Sequence, residues 1–473
     1  MIKRLEQASS AKVQMRGFHS TYFPYPGCVA EEVVFLPAAA ASGAARSTTP
    51  IITIRKLTIE STLFGLLSKP HRIKRIIADG LRVHAPTDLH AAPDSQNDQL
   101  VIEELTAADA LLEVGNSDKP LVFQVHHVVF HDIGGPGKVP FQVSLHMPLP
   151  PGEVESSGWL GPWKDDKGTV RSTAISGTYV LRGANLAIFK SIAGEVSSRG
   201  EFTGTLERIN IAGNTDDPQF EVKESGHRFH LATQFRGTVD LKTGDVVLPM
   251  LQAKLGSTNL TANASVSGSP KTVALNVTEG KGQIQDLILL FSDAPQSPIT
   301  GPVIFHTRTL LPPQQKPFKE RVQLTGDFVI DPARFTSSDS QKNIDQLSER
   351  AEGKKDKEKD FDQDDDAGGF ERVLTRLTGR VRLAGGLATL SEISFSVPGA
   401  RGDMNGTYSL LNKRVNFHGK MLMQATVSEA TTGKKSFFLK VLDPFFKKKH
   451  AGAEVPITMT GLYGQTHFAA GLK

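Results

Sequence analysis

Through most of the chain apolar and polar residues alternate with period two, the spacing of half-buried strands. Short runs of this kind follow one another: Gly177-Thr-Tyr-Val-Leu, Gly204-Thr-Leu-Glu-Arg-Ile-Asn-Ile, Phe229 to Phe235, Gly237 to Leu251, Leu260 to Val266 and Val273 to Val277. Gly, Asn and Asp punctuate them, which predicts turns between short strands. Nearer the start, Val13 to Phe18, Cys28 to Leu36, Ile51 to Ile59 and Ile73 to Val83 read as extended, with Asp79-Gly80 as a turn signal. Helical spacing surfaces in four places: Ile2, Leu5 and Ala8; Leu63, Phe64, Leu66 and Leu67; Ile344, Leu347 and Ala351; and Phe437, Phe438, Val441, Leu442 and Phe445. The expectation is a mainly β chain with a few short helices.

One segment is written twice. Gly237 to Leu251 (GTVDLKTGDVVLPML) matches Gly379 to Ile393 (GRVRLAGGLATLSEI) without a gap, an offset of 379 − 237 = 142. Gly237 falls on Gly379, Val239 on Val381, Leu241 on Leu383 and Gly244 on Gly386. A looser copy, Gly177-Thr-Tyr-Val-Leu-Arg-Gly, is one residue shorter before its second glycine. Serial copies of one hairpin predict a sheet lengthened by repetition. Within each copy Val239 and Leu241, or Val381 and Leu383, share a strand face with the leading glycine, while Thr238, Asp240 and Lys242 take the other.

Composition narrows the classes. The 473 residues are 39% hydrophobic and 22% charged, an ordinary folded mixture rich in turn formers, with 43 Gly and 27 Pro. A net charge of +4 is too weak and too scattered to argue for nucleic acid. Cys28 stands alone, which excludes an intramolecular disulfide and a thiolate zinc site. No window approaches the roughly 18 apolar residues of a membrane-spanning helix. Between Ser337 and Gly369 the composition turns to GKKDKEKDFDQDDDAGG, a run that cannot bury a core and predicts a mobile charged insertion.

Candidate chemistry is sparse. His127 and His131 share a strand face, but roughly 13 Å apart at the usual rise, too far for one metal. Asp362, Asp364 and Asp366 have calcium-loop spacing, yet Ala367 and Val373 occupy the positions that need Gly and Glu. Arg401-Gly402-Asp403 and the sequons at Asn259, Asn263, Asn276 and Asn405 read as turn chemistry. No Walker loop, nucleophile elbow or His-Glu-x-x-His occurs, so neither an enzyme nor a cofactor is expected. The segment SFFLKVLDPFFKKKH stands out: Phe437, Phe438, Leu442 and Phe445 form an apolar face that runs into Lys447, Lys448 and Lys449. It suits either a lipid headgroup boundary or a core-capping helix with a solvated tip.

Several stretches together carry a family resemblance: GFHSTYFPYPGCVAEEVVF, LTIESTLFGLLSKPHRIKRIIADGLRVHAP, SGTYVLRGANLAIFKSIAGEVSSRGEFTG, FSVPGARGDMNGTYSLLNKRVNFHGKM, TTGKKSFFLKVLDPFF and VPITMTGLYG. In this order they resemble the AsmA-like proteins of Gram-negative envelopes, relatives of TamB and YhdP. The resemblance implies an elongated, twisted antiparallel sheet of serial hairpins curled into a groove, with short helices at the N-terminus and near the C-terminus. It implies an apolar interior lined by Val239, Leu241, Val381 and Leu383, phospholipid or another membrane lipid as partner, and a role in lipid movement or outer-membrane biogenesis. It places the body on the periplasmic side of the inner membrane, with an N-terminal anchor of which this chain shows no trace. The expected divisions are an N-terminal cap over 1–95, a groove body over 96–336, the charged insertion over 337–370 and a C-terminal β segment over 371–473. The alternative is an envelope scaffold with the same strands packed shut and no lipid cargo.

Overall fold

The computed structural model describes residues 11–36, 50–85, 100–114, 120–162, 172–313, 316–336, 376–397, 400–423, 454–463 and 465–470. The expected helices near Leu5, Ile344 and Phe437, the charged insertion, and with them Phe437, Phe438, Leu442, Phe445, Lys447, Lys448 and Lys449, lie outside the described residues.

The described chain is mainly β and falls into two compact units, residues 1–219 with 232–248, and 220–231 with 249–473. The first unit opens with β1 (Lys12–Gln14), β2 (Gly17–Thr21), β3 (Gly27–Leu36), β4 (Ile52–Ser61) and helix α1 (Leu63–Leu67). It continues with β5 (His71–Ala85), β6 (Leu100–Val114), β7 (Leu121–Ile133), β8 (Val139–Pro148), β9 (Pro151–Leu160), β10 (Ala174–Asn185), β11 (Ile192–Ala193) and β12 (Glu195–Thr205). Strands β13 (Arg208–Val222), β14 (Arg228–Asp240) and β15 (Asp245–Leu255) hold residues of both units. The second unit has β16 (Thr258–Ser267), β17 (Thr272–Gln283), α2 (Ile284–Phe291), β18 (Ile299–Thr300), β19 (Pro302–Leu311), α3 (Phe318–Arg321), β20 (Gln323–Ile330) and β21 (Arg334–Phe335). It ends with β22 (Arg376–Ala384), β23 (Leu387–Val397), β24 (Ala400–Ser409), β25 (Arg414–Met423), β26 (Glu454–Leu462) and β27 (Gln465–Ala470). Twenty-five strands belong to one sheet, and β18 pairs with β21 in a separate ribbon.

Neighbours in sequence are mostly neighbours in the sheet, as serial hairpins require. One pairing departs from the antiparallel expectation: β5 and β6 run parallel, His71 beside Leu100 and Ala85 beside Val114. A parallel neighbour needs a connection of a dozen or more residues, and the chain between Ala85 and Leu100 has that length. The helix expected at Leu63 to Leu67 is present as α1. The other two described α-helices, α2 and α3, are not expected from the sequence pattern.

The Asp79-Gly80 turn signal proves to be an interior feature of β5. Gly80, with φ +64°, stands in a row with Glu32 of β3 (φ +51°) and Asp109 of β6 (φ +51°), with Arg55 of β4 and His126 of β7 aligned between and beyond. Each strand there has two apolar residues three apart, with at least one polar residue between them: Ala30-Glu-Glu-Val33, Ile54-Arg-Lys-Leu57, Ala78-Asp-Gly-Leu81, Ala107-Ala-Asp-Ala110 and Val125-His-His-Val128. A left-handed residue in β3, β5 and β6 lets both flanking apolar side chains of those strands point to the same face. Irregularities of this kind bend and twist a strand, so their alignment makes a crease across the first unit's sheet. Ala30, Val33, Ala107 and Ala110 are buried along that crease.

The second unit's core centres on Val303, Ile330 and Ile457, all nearly inaccessible. Ile457→Ala removes packed methylenes where the surrounding strands cannot collapse, and its expected cost is about 2–5 kcal/mol in urea unfolding. A loss below 1 kcal/mol would mean that this core is loosely packed.

Candidate functional site

Register places one apolar face across the whole of the first unit. A single row runs from Cys28 through Ile59, Ile76, Leu105, Phe130 and Phe141 to Gly158, Gly177, Phe202 and Ile211, each residue directly beside the next. A second row holds Ala30, Leu57, Ala78, Ala107, Val128 and Val143. The buried cluster of this unit draws its members from this face of β1 and β3 to β7, with Val143 and Leu145 of β8 against it. Among the described residues of the unit, neither α1 nor the short 3-10 turn at Leu186–Ile188 contributes to it. The opposite face carries the charges, paired across strands as in Arg75 with Glu104 at 2.8 Å and Arg182 with Glu155 at 2.7 Å.

Glycine on the apolar face has a repeated partner. Gly158 lies directly opposite Phe141, Gly177 opposite Phe202, Gly280 opposite Phe305, Gly379 opposite Phe328, Gly402 opposite Phe395, and Gly406 opposite Phe417. At Gly177, Gly280, Gly379, Gly402 and Gly406 an added Cβ would run into the phenyl ring itself. The ring of one strand thus lies over the bare backbone of the next, restoring the contact that glycine lacks. This explains the glycine that leads the written-twice hairpin: Gly379 makes room for Phe328, and Gly237 for Leu248.

In the second unit the equivalent face is covered. α2 lies against it through Ile284, Leu287 and Ile288, beside Ile299 and Phe335 of the ribbon. The loop after α2 is tied to distant strands: Asp293 pairs with Lys413 Nζ at 3.0 Å, Tyr463 donates its hydroxyl to the Gln296 carbonyl at 2.9 Å, and His227 Nε2 lies 2.8 Å from the Ala294 carbonyl. Among the described residues α2 is a capping helix of this unit. Its signal, Ile284-Gln-Asp-Leu-Ile-Leu-Leu-Phe, follows Gly280 and Gly282 of an alternating strand, so a period-two reading runs straight into it.

Val381 and Leu383 lie on the apolar face of β22, beside Leu390 and Ala388 of β23, with Leu383 buried. Val239 is half-buried near the end of β14. Leu241 lies past the strand, in the turn, and is 48% exposed. The strand ends early because the Asp240 carboxylate accepts from the amides of Lys242 and Thr243, drawing the chain into a turn. In the later copy Gly385 and Gly386, both with positive φ, close a two-residue turn instead, so Leu383 remains in its strand. The loose copy differs again. Its second glycine, Gly183 (φ +63°), makes a bulge inside β10 in place of a turn.

Other sequence signals resolve as structure. Arg401-Gly402-Asp403 lies within β24, its glycine under Phe395, and not in a turn. His126 and His146 both reach Glu153, at 3.0 and 2.8 Å, on the solvent face, and the His146 hydrogen bond is the main influence holding the Glu153 carboxyl below its usual range. Among the described residues no group of three His, Cys, Asp or Glu is arranged to hold a metal, and no helix is long and apolar enough to cross a membrane. Set against known protein-family models, curated proteins and solved structures, the chain matches none.

Cys28 begins the long apolar row, and burial raises its thiol pKa. The thiolate is the reactive form, so at neutral pH the native protein holds less of it than an exposed cysteine. Alkylation should be slower in the native state than in urea, the gap narrowing as pH rises through the thiol range. Equal rates at pH 7 would show that the row is open to water at this end.

Proposed function

We propose that the apolar face of the first unit holds lipid acyl chains, and that the protein is a non-enzymatic lipid-holding or lipid-conducting protein of the cell envelope. The observation that supports this most is the unbroken row from Cys28 to Ile211 with no second layer of the unit packed on it among the described residues. A strip of apolar side chains one strand spacing apart, with rings flattened over glycines, offers acyl chains continuous contact. Each methylene buried there is worth about 0.8 kcal/mol. The reading agrees with the resemblance to AsmA-like proteins, which brings the periplasmic location and the role in outer-membrane biogenesis with it as parts of the same proposal. A second reading, a scaffold with a closed core, draws on one observation: α2 covers the corresponding face of the second unit.

The test is mass spectrometry of lipids extracted from the full chain purified from membrane-containing lysate, beside melting curves. Wild type should carry phospholipid or another membrane lipid. Leu112→Asp and Val128→Asp, half-buried on the proposed acyl face, should stay folded and lose it. Ile330→Asp, nearly inaccessible in the covered unit, should unfold because its charge has no route to water. Lipid-free wild type together with unfolded Leu112→Asp would leave the scaffold reading.

A further inference from the structure

At one end of the first unit two loops turn apolar side chains outward. The loop between β2 and β3 presents Tyr22 and Phe23, and α1, between β4 and β5, presents Leu63, Phe64 and Leu67. Phe23 is 92% exposed and Phe64 90%. The loops leave adjacent, hydrogen-bonded strands at the same end: Gly27 pairs with Glu60, and the Ser61 amide donates to the Pro26 carbonyl at 2.8 Å.

The orientation of α1 is reversed from that of an ordinary surface helix. Thr62 caps it by accepting from the Gly65 amide at 2.9 Å. Gly65 is the side laid on the protein, so close that a Cβ there would strike the Arg72 carbonyl. Leu63, Phe64 and Leu67 consequently point away from the sheet. Monomeric proteins rarely leave such a contiguous apolar patch to water.

The two loops themselves carry only basic charge. Residues 21–27 and 61–72 contain no Asp or Glu, and they bring Lys69 and Arg72. Lys74 Nζ lies 3.5 Å from the centre of the Tyr25 ring, and Lys138 Nζ 3.5 Å from that of Trp159. The loop carrying Lys138 belongs to the same end, since Gly134 abuts the Leu100 carbonyl and Leu100 pairs with His71. Arg72 and Arg75 face Glu103 and Glu104, at 3.8 and 2.8 Å, which leaves the lysines as the unneutralised charge. Aromatic rings and lysines collared around protruding apolar side chains match the layering of a bilayer surface, with hydrocarbon inside, ring dipoles at the headgroups and anionic phosphate outside.

We propose that this end of the first unit inserts into the surface of an anionic lipid bilayer through Tyr22, Phe23, Leu63, Phe64 and Leu67, with Lys69 and Lys74 on the headgroups. The proposal stands on the end loops alone and is independent of any acyl chain on the sheet face.

Co-flotation of the full chain with phosphatidylcholine vesicles, with and without phosphatidylglycerol, tests it. Wild type should float, more strongly with the anionic lipid. Phe23→Ser/Phe64→Ser should float less by about tenfold or more per side chain lost, with an unchanged melting temperature because both rings stand in solvent. Lys69→Glu/Lys74→Glu should abolish the preference for anionic vesicles. Phe23→Trp should gain a blue-shifted emission component on vesicle addition, beyond that of Trp159 and Trp163, quenched by brominated acyl chains. Undiminished flotation of Phe23→Ser/Phe64→Ser overturns the proposal. So does light scattering that finds wild type dimeric and this variant monomeric with no change in flotation, since a second copy would then be what covers the patch.

Discussion

A single layer of sheet with one apolar face must hide that face without a second layer, and the rest of this structure follows from how it does so. Period-two alternation puts every large side chain of a strand on one side or the other. In the first unit the consequence runs through ten strands in register, from Cys28 to Ile211. A flat sheet would leave those side chains in water. The row of left-handed residues at Glu32, Gly80 and Asp109 creases the layer, and small side chains beside it such as Ala107 and Ala110 are buried.

Glycine and phenylalanine make the same face continuous. A glycine in a strand ordinarily weakens it, having nothing to pack. Here the phenyl ring of the adjacent strand occupies the missing volume at Gly177, Gly280, Gly379, Gly402 and Gly406. The ring lies down where an upright side chain would stand, and the surface stays low and apolar. Phe130 and Phe141, with ring centres 6.3 Å apart, extend it where no glycine intervenes.

The two units resolve the constraint differently. In the second, α2 packs on the apolar face, the loop behind it held by Lys413, Tyr463 and His227, and a conventional core results around Ile330 and Ile457. In the first, no second layer packs on the face among the described residues. The proposed acyl cargo occupies the place that α2 takes in the second unit, which is why one substitution type separates the two: a carboxylate tolerated where water or lipid enters is excluded where a helix is packed.

The sequence by itself determined the strand-rich class, the position of α1, the shared face of Val381 and Leu383, and the repeated hairpin, because these depend on side-chain period and on residues close along the chain. It also contained the crease, as Ala30-Glu-Glu-Val33, Ile54-Arg-Lys-Leu57 and Val125-His-His-Val128. That signal reads as a lapse of alternation until register aligns the strands. Only the tertiary structure decided what lies across from what. The parallel pairing of β5 with β6, the Phe328 ring over Gly379, the exit of Leu241 into a turn tied by Asp240, and the choice of α2 as the covering helix all rest on contacts between residues far apart in the chain. Local periodicity carries no information about such partners, and the same apolar face serves equally for a helix, a lipid or another sheet until the fold supplies one of them.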